Sequence, residues 1–254
     1  MSDFVTDLRN GKPVSGTWLS MGDPAVAEIV AGLDFDFVVI DTEHAATTLE
    51  SVEHVLRAVD AARGNTAALA RVPWNDPVRI KRLLETGPSG LLIPMVESAA
   101  EARTAVRAMR YPPDGDRGIA AGRASNYTHD FVESVETANE RLVTIVQVET
   151  RRGLENAAEI ASVDGVDALF IGPSDLSAAL GAFPNSDDPV VVGAIEQIVE
   201  AAGVAGVPVG TLAVDPGESD TWFDRGMDFL VVGFDAAFVA EGAAAALRAY
   251  QDAT

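Results

Sequence analysis

The chain has 254 residues, 48% of them hydrophobic and 22% charged, which suits one large α/β domain with a sizeable core and excludes a disordered polymer. A net charge of −21 argues against nucleic acid and against anionic membrane surfaces, because both demand a basic footprint. Cysteine is absent, which removes disulfides, thiolate metal sites and cysteine nucleophiles.

Taken in order, residues 14–20 form the first strand candidate. Asp23-Pro24 opens a helix, with Asp23 as N-cap and Pro24 at its first position, and Gly32 stops it. Residues 37–40 make a second strand that runs into Asp41-Thr42-Glu43-His44. Leu49, Val52, Leu56 and Val59 fall at helical spacing, so 48–62 is a helix. Strand 67–72 has Arg71 at its end, and a helix over 77–85 follows, closed by Gly87. Strand 90–96 precedes a helix over 98–110, capped by Ser98 with Glu101 at the capping-box position. Residues 111–128 carry two prolines and three glycines without a clear period. They read as a long loop, and loops of this length are usually functional. Alternation then resumes: helix 129–140, strand 143–149, helix 151–161, strand 167–171, a short helical segment after Ser174, helix 189–203, strand 207–212, helix 217–225, strand 228–232 and helix 235–251.

Eight strand candidates, each followed by helix, imply parallel strands joined by crossover helices. Eight such units in about 250 residues match a closed (β/α)8 TIM barrel, here a single domain over 1–254. An open doubly wound sheet competes, but no Gly-x-Gly-x-x-Gly follows the first strand and no Walker-type loop is present.

In a barrel, chemistry sits where strands end. The apolar run 144–148 ends in Glu149, and the run 169–171 is followed by Gly172-Pro173-Ser174-Asp175. A desolvated carboxylate is costly unless it is paired or metal-bound. Two readings stand for Glu149 and Asp175: they hold a hard divalent cation, or each caps a helix or pairs with an arginine. All-oxygen donors favour Mg2+ or Mn2+ over zinc. Arg71 offers a planar fork for a carboxylate or phosphate, with a salt bridge to a neighbouring acid as the alternative. His44 is the acid–base candidate, because its ordinary pKa lies near neutrality. Asp41 or Glu43 could orient it, and Glu85 could approach it. His54 and His129, on helices, read as structural. A cation beside an arginine suits a 2-oxo acid. The two lysines, Lys12 and Lys81, end no strand, so imine chemistry is not expected. No Gly-x-Ser-x-Gly elbow supports a serine hydrolase.

Six blocks carry a resemblance: Phe37-Val-Val-Ile-Asp-Thr-Glu-His44, Arg71-Val-Pro-Trp-Asn-Asp-Pro77, Leu92-Ile-Pro-Met-Val96, Arg110-Tyr-Pro-Pro113 with Arg117-Gly118, Gln147-Val-Glu-Thr150, and Phe170-Ile-Gly-Pro-Ser-Asp-Leu-Ser177. Over about residues 16–239 the chain resembles the HpcH/HpaI aldolases, the metal-dependent class II pyruvate aldolases. The resemblance implies a barrel with Mg2+ or Mn2+, and Co2+ as a substitute, held at Glu149 and Asp175. Arg71 would contact substrate oxygens, and Gln147 would lie in the pyruvate pocket. Backbone N–H groups of the turn Gly172, Pro173, Ser174 and Asp175 would hold the carboxylate. His44 would be the acid–base group with Asp41 close by. Glu85 falls where relatives carry an aspartate partnered with that histidine. The implied reaction is reversible cleavage of a 4-hydroxy-2-oxo acid to pyruvate and an aldehyde. The implied assembly is a homohexamer, a trimer of dimers that exchange the C-terminal helix, with the loop 117–126 near a subunit boundary.

Two rivals remain at this level: a citramalyl- or malyl-CoA lyase branch of the same superfamily, and a non-catalytic 2-oxo acid binder. The acidic surface offers little to CoA phosphates. The N-terminal residues lack a basic region followed by an apolar one, so no secretory signal and a cytoplasmic location are expected. Dispersed acids on an ordinary core suggest adaptation to high salt, where screening is short-ranged.

Overall fold

The computed structural model describes residues 4–253. Eight parallel strands close into one barrel in sequence order: β1 (Ser15–Leu19), β2 (Phe37–Asp41), β3 (Ala67–Arg71), β4 (Gly90–Ile93), β5 (Val143–Val148), β6 (Ala168–Ile171), β7 (Val209–Ala213) and β8 (Phe229–Phe234). The closing pair β1–β8 is parallel, with its register shifted between Gly16 and Trp18. The open-sheet alternative is thereby excluded.

Strand periodicity builds two cores. Odd positions of β2 and β5, such as Phe37, Val39, Val143 and Ile145, join Trp18, Leu69, Leu92, Phe170 and Phe229 inside the barrel. The alternate residues, among them Val38, Ile40, Val146 and Val148, face the surrounding helices. Aromatic rings chain across the interior: Phe37 to Phe229 and Phe229 to Phe170 at 6.2 Å, and Phe170 to Trp18 at 6.0 Å between centroids. Gly16 and Gly210 make room for them, since a Cβ on either would lie 2.4 Å from a phenylalanine ring. The interior parity decides the site. Continued along the same strands, it turns Asp41, Arg71, Gln147 and Glu149 inward at the C-terminal mouth.

The helices follow their caps. Asp23, Asp76 and Asp188 each precede a proline and accept from first-turn N–H groups of α2 (Pro24–Ala31), α4 (Pro77–Leu84) and α10 (Pro189–Ala205). At the N-terminal rim three aspartates tie neighbouring strands together. Asp36 accepts from Ser15 N–H (2.8 Å), Asp167 from Thr144 N–H (2.8 Å) and Asp228 from Val209 N–H (2.9 Å).

The structure corrects several local expectations. A six-residue helix, α1 (Phe4–Arg9), precedes the first strand and buries Phe4 and Leu8 in the barrel floor, with Phe4 4.9 Å from Phe37. The expected capping box on α5 (Ala99–Met109) is half made. Ser98 caps Glu101 N–H, but the Glu101 carboxylate accepts from Glu97 N–H at 2.7 Å. The complete box is on α3 (Leu49–Ala61), between Thr48 and Ser51. The expected helix 151–161 is two, α7 (Arg151–Glu155) and α8 (Ala157–Ala161), because Asn156 leaves helical geometry and donates its amide to Glu97 C=O. The loop 111–128 ends in a 3-10 segment, Arg123–Thr128, ahead of α6 (Phe131–Arg141). The short helical segment expected after Ser174 is α9 (Pro173–Leu180). Before α11 (Ser219–Asp224), the first residues of the expected helix 217–225 are a separate 3-10 turn. The C-terminal helix α12 (Asp235–Asp252) buries only Asp235 and exposes Val239 and Leu247. Among the described residues no helix is long and apolar enough to cross a membrane.

Candidate active site at the barrel mouth

Asp41 and Arg71 are paired residues in the β2–β3 register, both at the last position of their strands. Both side chains are buried in the mouth. Arg71 Nε donates to Asp41 Oδ1 at 2.9 Å and Nη2 to Oδ2 at 2.7 Å, a bidentate fork. Its Nη1 lies 2.8 Å from Glu43 Oε2. Trp18, on the inward face of β1, stacks on the guanidinium at 4.6 Å. Burial pushes the Asp41 carboxyl upward, but the hydrogen bonds and charge of Arg71 outweigh it and hold it below its ordinary value. Glu43 goes the other way. Burial raises it, Arg71 opposes, and repulsion from Asp41 and Asp175 adds to the rise.

Glu149 is buried across the mouth. Its Oε1 accepts from Met95 N–H at 2.8 Å and its Oε2 from Gln147 Nε2 at 2.9 Å. Met95 holds a left-handed backbone conformation, φ 56°, to aim that N–H. Burial, with repulsion from Asp175 and Glu43, lifts the Glu149 carboxyl from 4.5 to about 7 against the opposing Met95 bond. Gly172, the N-cap of α9, touches this carboxylate. A Cβ there would stand 2.3 Å from Glu149 Oε2. Asp175 lies exposed in the first turn of the same helix, whose N-terminus has no side-chain cap. That end leaves backbone N–H groups for an anion.

The sequence-derived residues therefore divide. Asp41, Arg71, Gln147, Glu149 and the turn 172–175 share the mouth, and Glu43 joins them. His44 is on the same rim, two-thirds exposed, with Nε2 3.8 Å from Glu43 Oε2. Glu43, which also pairs with Arg71, is the carboxylate beside the imidazole, and Asp41 stays close, its Oδ1 accepting the His44 backbone N–H at 3.5 Å. Glu85 is placed elsewhere than the sequence reading put it. It forms the C-cap of α4, which carries the chain back to the N-terminal rim, and it pairs with Arg117 at 3.1 Å. Trp18 and Met95 were not singled out from the sequence. Trp18 is marked only by inward parity on β1, and the backbone role of Met95 leaves no mark in side-chain chemistry.

The site carries four carboxylates, from Asp41, Glu43, Glu149 and Asp175, against one guanidinium, so its electrostatics call for another cation. Gln147 Oε1 is buried without a hydrogen-bond partner, which marks an unmet acceptor beside Glu149. Among the described residues no three His, Asp or Glu side chains cluster as a complete ligand set. The arrangement fits a cation held by two carboxylates with its other positions open.

A model of the HpcH/HpaI aldolase/citrate lyase family matches residues 14–241. The chain belongs to this family. A 4-hydroxy-2-oxo-heptane-1,7-dioate aldolase of Salmonella typhimurium is 41% identical over 244 residues, covering 95% of this chain and 92% of its own. A crystal structure of an HpcH/HpaI aldolase/citrate lyase family protein from Burkholderia cenocepacia superposes with a TM-score of 0.95 at 34% identity, over 99% of this chain and all of that one. An HpcH/HpaI aldolase from Desulfitobacterium hafniense gives 0.88 at 30% identity, over 97% and 95%.

Proposed function

We propose that this HpcH/HpaI-family protein is a carbon–carbon lyase that cleaves a 4-hydroxy-2-oxo acid reversibly to pyruvate and an aldehyde. The observation that carries this reading is the buried Arg71 fork facing Glu149 across the mouth, in a chain 41% identical to an aldolase of that class. Glu149 and Asp175 would hold a divalent metal, with Mg2+ or Mn2+ favoured by their oxygen donors. Bound there, the metal supplies Lewis-acid polarisation of the 2-oxo group.

The chain's own residues do the rest. The N-terminus of α9 offers N–H donors to the substrate carboxylate. Arg71 gives three of its five N–H groups to Asp41 and Glu43, leaving about two for the oxygen at C2. Asp41, Glu43 and Trp18 fix the guanidinium, so no reorganisation is needed as charge develops on that oxygen. His44 takes the proton of the C4 hydroxyl. The C3–C4 bond then breaks, C4 becomes the aldehyde carbon, and the electron pair passes toward C3 and the C2 oxygen. Protonation of C3 completes pyruvate. Glu43, 3.8 Å from His44 Nε2, would help orient the imidazole.

His44→Ala is expected to lower kcat by about 10²–10⁴-fold, the usual range for loss of a general base. Pyruvate release coupled to lactate dehydrogenase measures it, and a wild-type rate would remove His44 from the mechanism. Gly172→Ala places a methyl group against Glu149 Oε2. Overpacking of this kind costs about 1–3 kcal/mol; expressed at the cation site, that lowers affinity roughly 5- to 150-fold. Calorimetric titration with Mn2+ checks this, and an unchanged affinity would dissociate Gly172 from the metal site.

We also propose that the exposed apolar residues of α12 serve self-association, as in the hexamer expected for this family. Light scattering on the purified protein tests that reading, and a monomer would oppose it.

A further inference from the structure

A cleft of about 640 Å³ lies at the N-terminal end of the barrel, between α1, the segment before β4 and α6, remote from the catalytic mouth. In a molecule of net charge −21, three arginines line it, Arg9, Arg117 and Arg141, against one acid, Glu140. Arg9 is consumed by Asp167 and by the carbonyl oxygens of Glu140 and Leu142. Arg117 is not. Its side chain is only 2% exposed and stacks on Tyr111 at 4.4 Å, with a single ion pair, to Glu85. Its Nε–H is buried with no partner. A buried guanidinium with an unmet donor is costly and calls for an acceptor. Arg141, exposed at the rim, bonds Thr137 through Nε alone, so the rest of its fork is free to reach a second acceptor. The remaining wall mixes the partly exposed apolar side chains of Val5 and Leu142 with Thr6, Ser89 and Ser134. The volume falls in the range of small-molecule pockets, where apolar walls and a few placed polar groups set specificity.

We propose that this cleft is an accessory binding site for a small organic carboxylate. The anionic head meets Arg117 and Arg141 and the apolar body packs against Val5 and Leu142. A bare inorganic anion would leave the apolar wall unused, and a neutral ligand would leave the Arg117 donor unmet.

The probe is naphthoate, an aromatic carboxylate of suitable size, titrated calorimetrically into the full chain in its native assembly. Excess Mg2+ and oxalate are present to fill the catalytic mouth. Saturable binding that oxalate does not displace is expected, with the neutral naphthyl alcohol binding at least about tenfold more weakly, the equivalent of one charge-assisted hydrogen bond. Arg141→Gln should weaken naphthoate severalfold. Arg117→Gln should weaken it further, but it removes a buried ion-pair partner and threatens the fold. Ala138→Trp, which fills the cleft from α6, therefore carries the test independently and should abolish binding with an unchanged melting temperature. Absence of saturable binding, equal binding of the alcohol, displacement by oxalate, or undiminished affinity in Ala138→Trp would each overturn the proposal. A cleft occupied by another copy of the chain would give the first of these results.

Discussion

Glu149→Gln is expected to abolish turnover and, above pH 7, to make the metal-free protein more stable. The carboxyl is raised from 4.5 to about 7, first by burial and then by the neighbouring Asp175 and Glu43. The folded chain thus holds this proton more tightly than the unfolded chain does. Between about pH 4.5 and 7 the group's contribution to stability falls as pH rises, and above pH 7 its full cost is present. At about 1.4 kcal/mol per pKa unit, that cost is on the order of 3 kcal/mol. The amide of the variant never ionises, so the cost disappears. The local hydrogen bonds survive the change. Met95 N–H still finds an oxygen, and a flip of the Gln147 amide turns its orphaned Oε1 toward the new NH2. The same substitution removes a proposed ligand of the cation, so stability and function move in opposite directions. Urea unfolding of both proteins at pH 5 and pH 8, in chelator, measures the first effect. A variant no more stable than wild type at pH 8, or one that still turns over, would contradict the role assigned to Glu149.

Arg71→Leu is expected to fail on both counts. It strands the buried Asp41 carboxylate and the half-buried Glu43 without their cation, and breaking a buried pair costs about 3–5 kcal/mol. It also removes the donors proposed for the C2 oxygen, worth about 10²–10³-fold in kcat at comparable oxyanion sites. The low-pH behaviour should change too. In the wild type Arg71 holds Asp41 below its ordinary value, so this pair's stabilisation is present at neutral pH and is lost as pH falls through the folded-state value. That acid sensitivity should vanish in the variant. Adding Asp41→Leu should recover much of the stability while activity stays lost. A double variant that recovers activity would show that Arg71 acts only through the fold.

The barrel was legible in the sequence because its signal is redundant. Eight apolar runs of strand length alternate with helical periods, and Asp-Pro pairs mark three helix starts. The mouth was legible for a related reason. Asp41, Arg71 and Glu149 are polar residues on the inward parity of otherwise apolar strands, where folding alone gives them no place. For Arg71 the structure shows the salt-bridge reading, to Asp41 and Glu43, and the substrate contact proposed above is compatible with it, since those acids use only part of the guanidinium. What escaped has physical causes. Helix α1 is too short to show a period, and its burial depends on the barrel floor that Phe4 and Leu8 close. The break at Asn156 depends on a carbonyl contributed from Glu97, distant in sequence. Glu85 was expected to approach His44 from the helix after the third strand, but it closes the far end of α4, at the opposite rim, and pairs there with Arg117. The left-handed Asn126 and Tyr127 inside the loop's 3-10 segment carry no glycine to announce them.

The central claim is that a cation held at this mouth and the Arg71 fork together draw electrons out of a C3–C4 bond. The most direct test incubates the purified protein with 4-hydroxy-2-oxoheptane-1,7-dioate and follows pyruvate before chelation, after EDTA, and after Mg2+ or Mn2+ is returned. The account predicts pyruvate and aldehyde in equal amounts, loss of activity with the metal, and recovery with its return. A full rate in metal-stripped protein would contradict it.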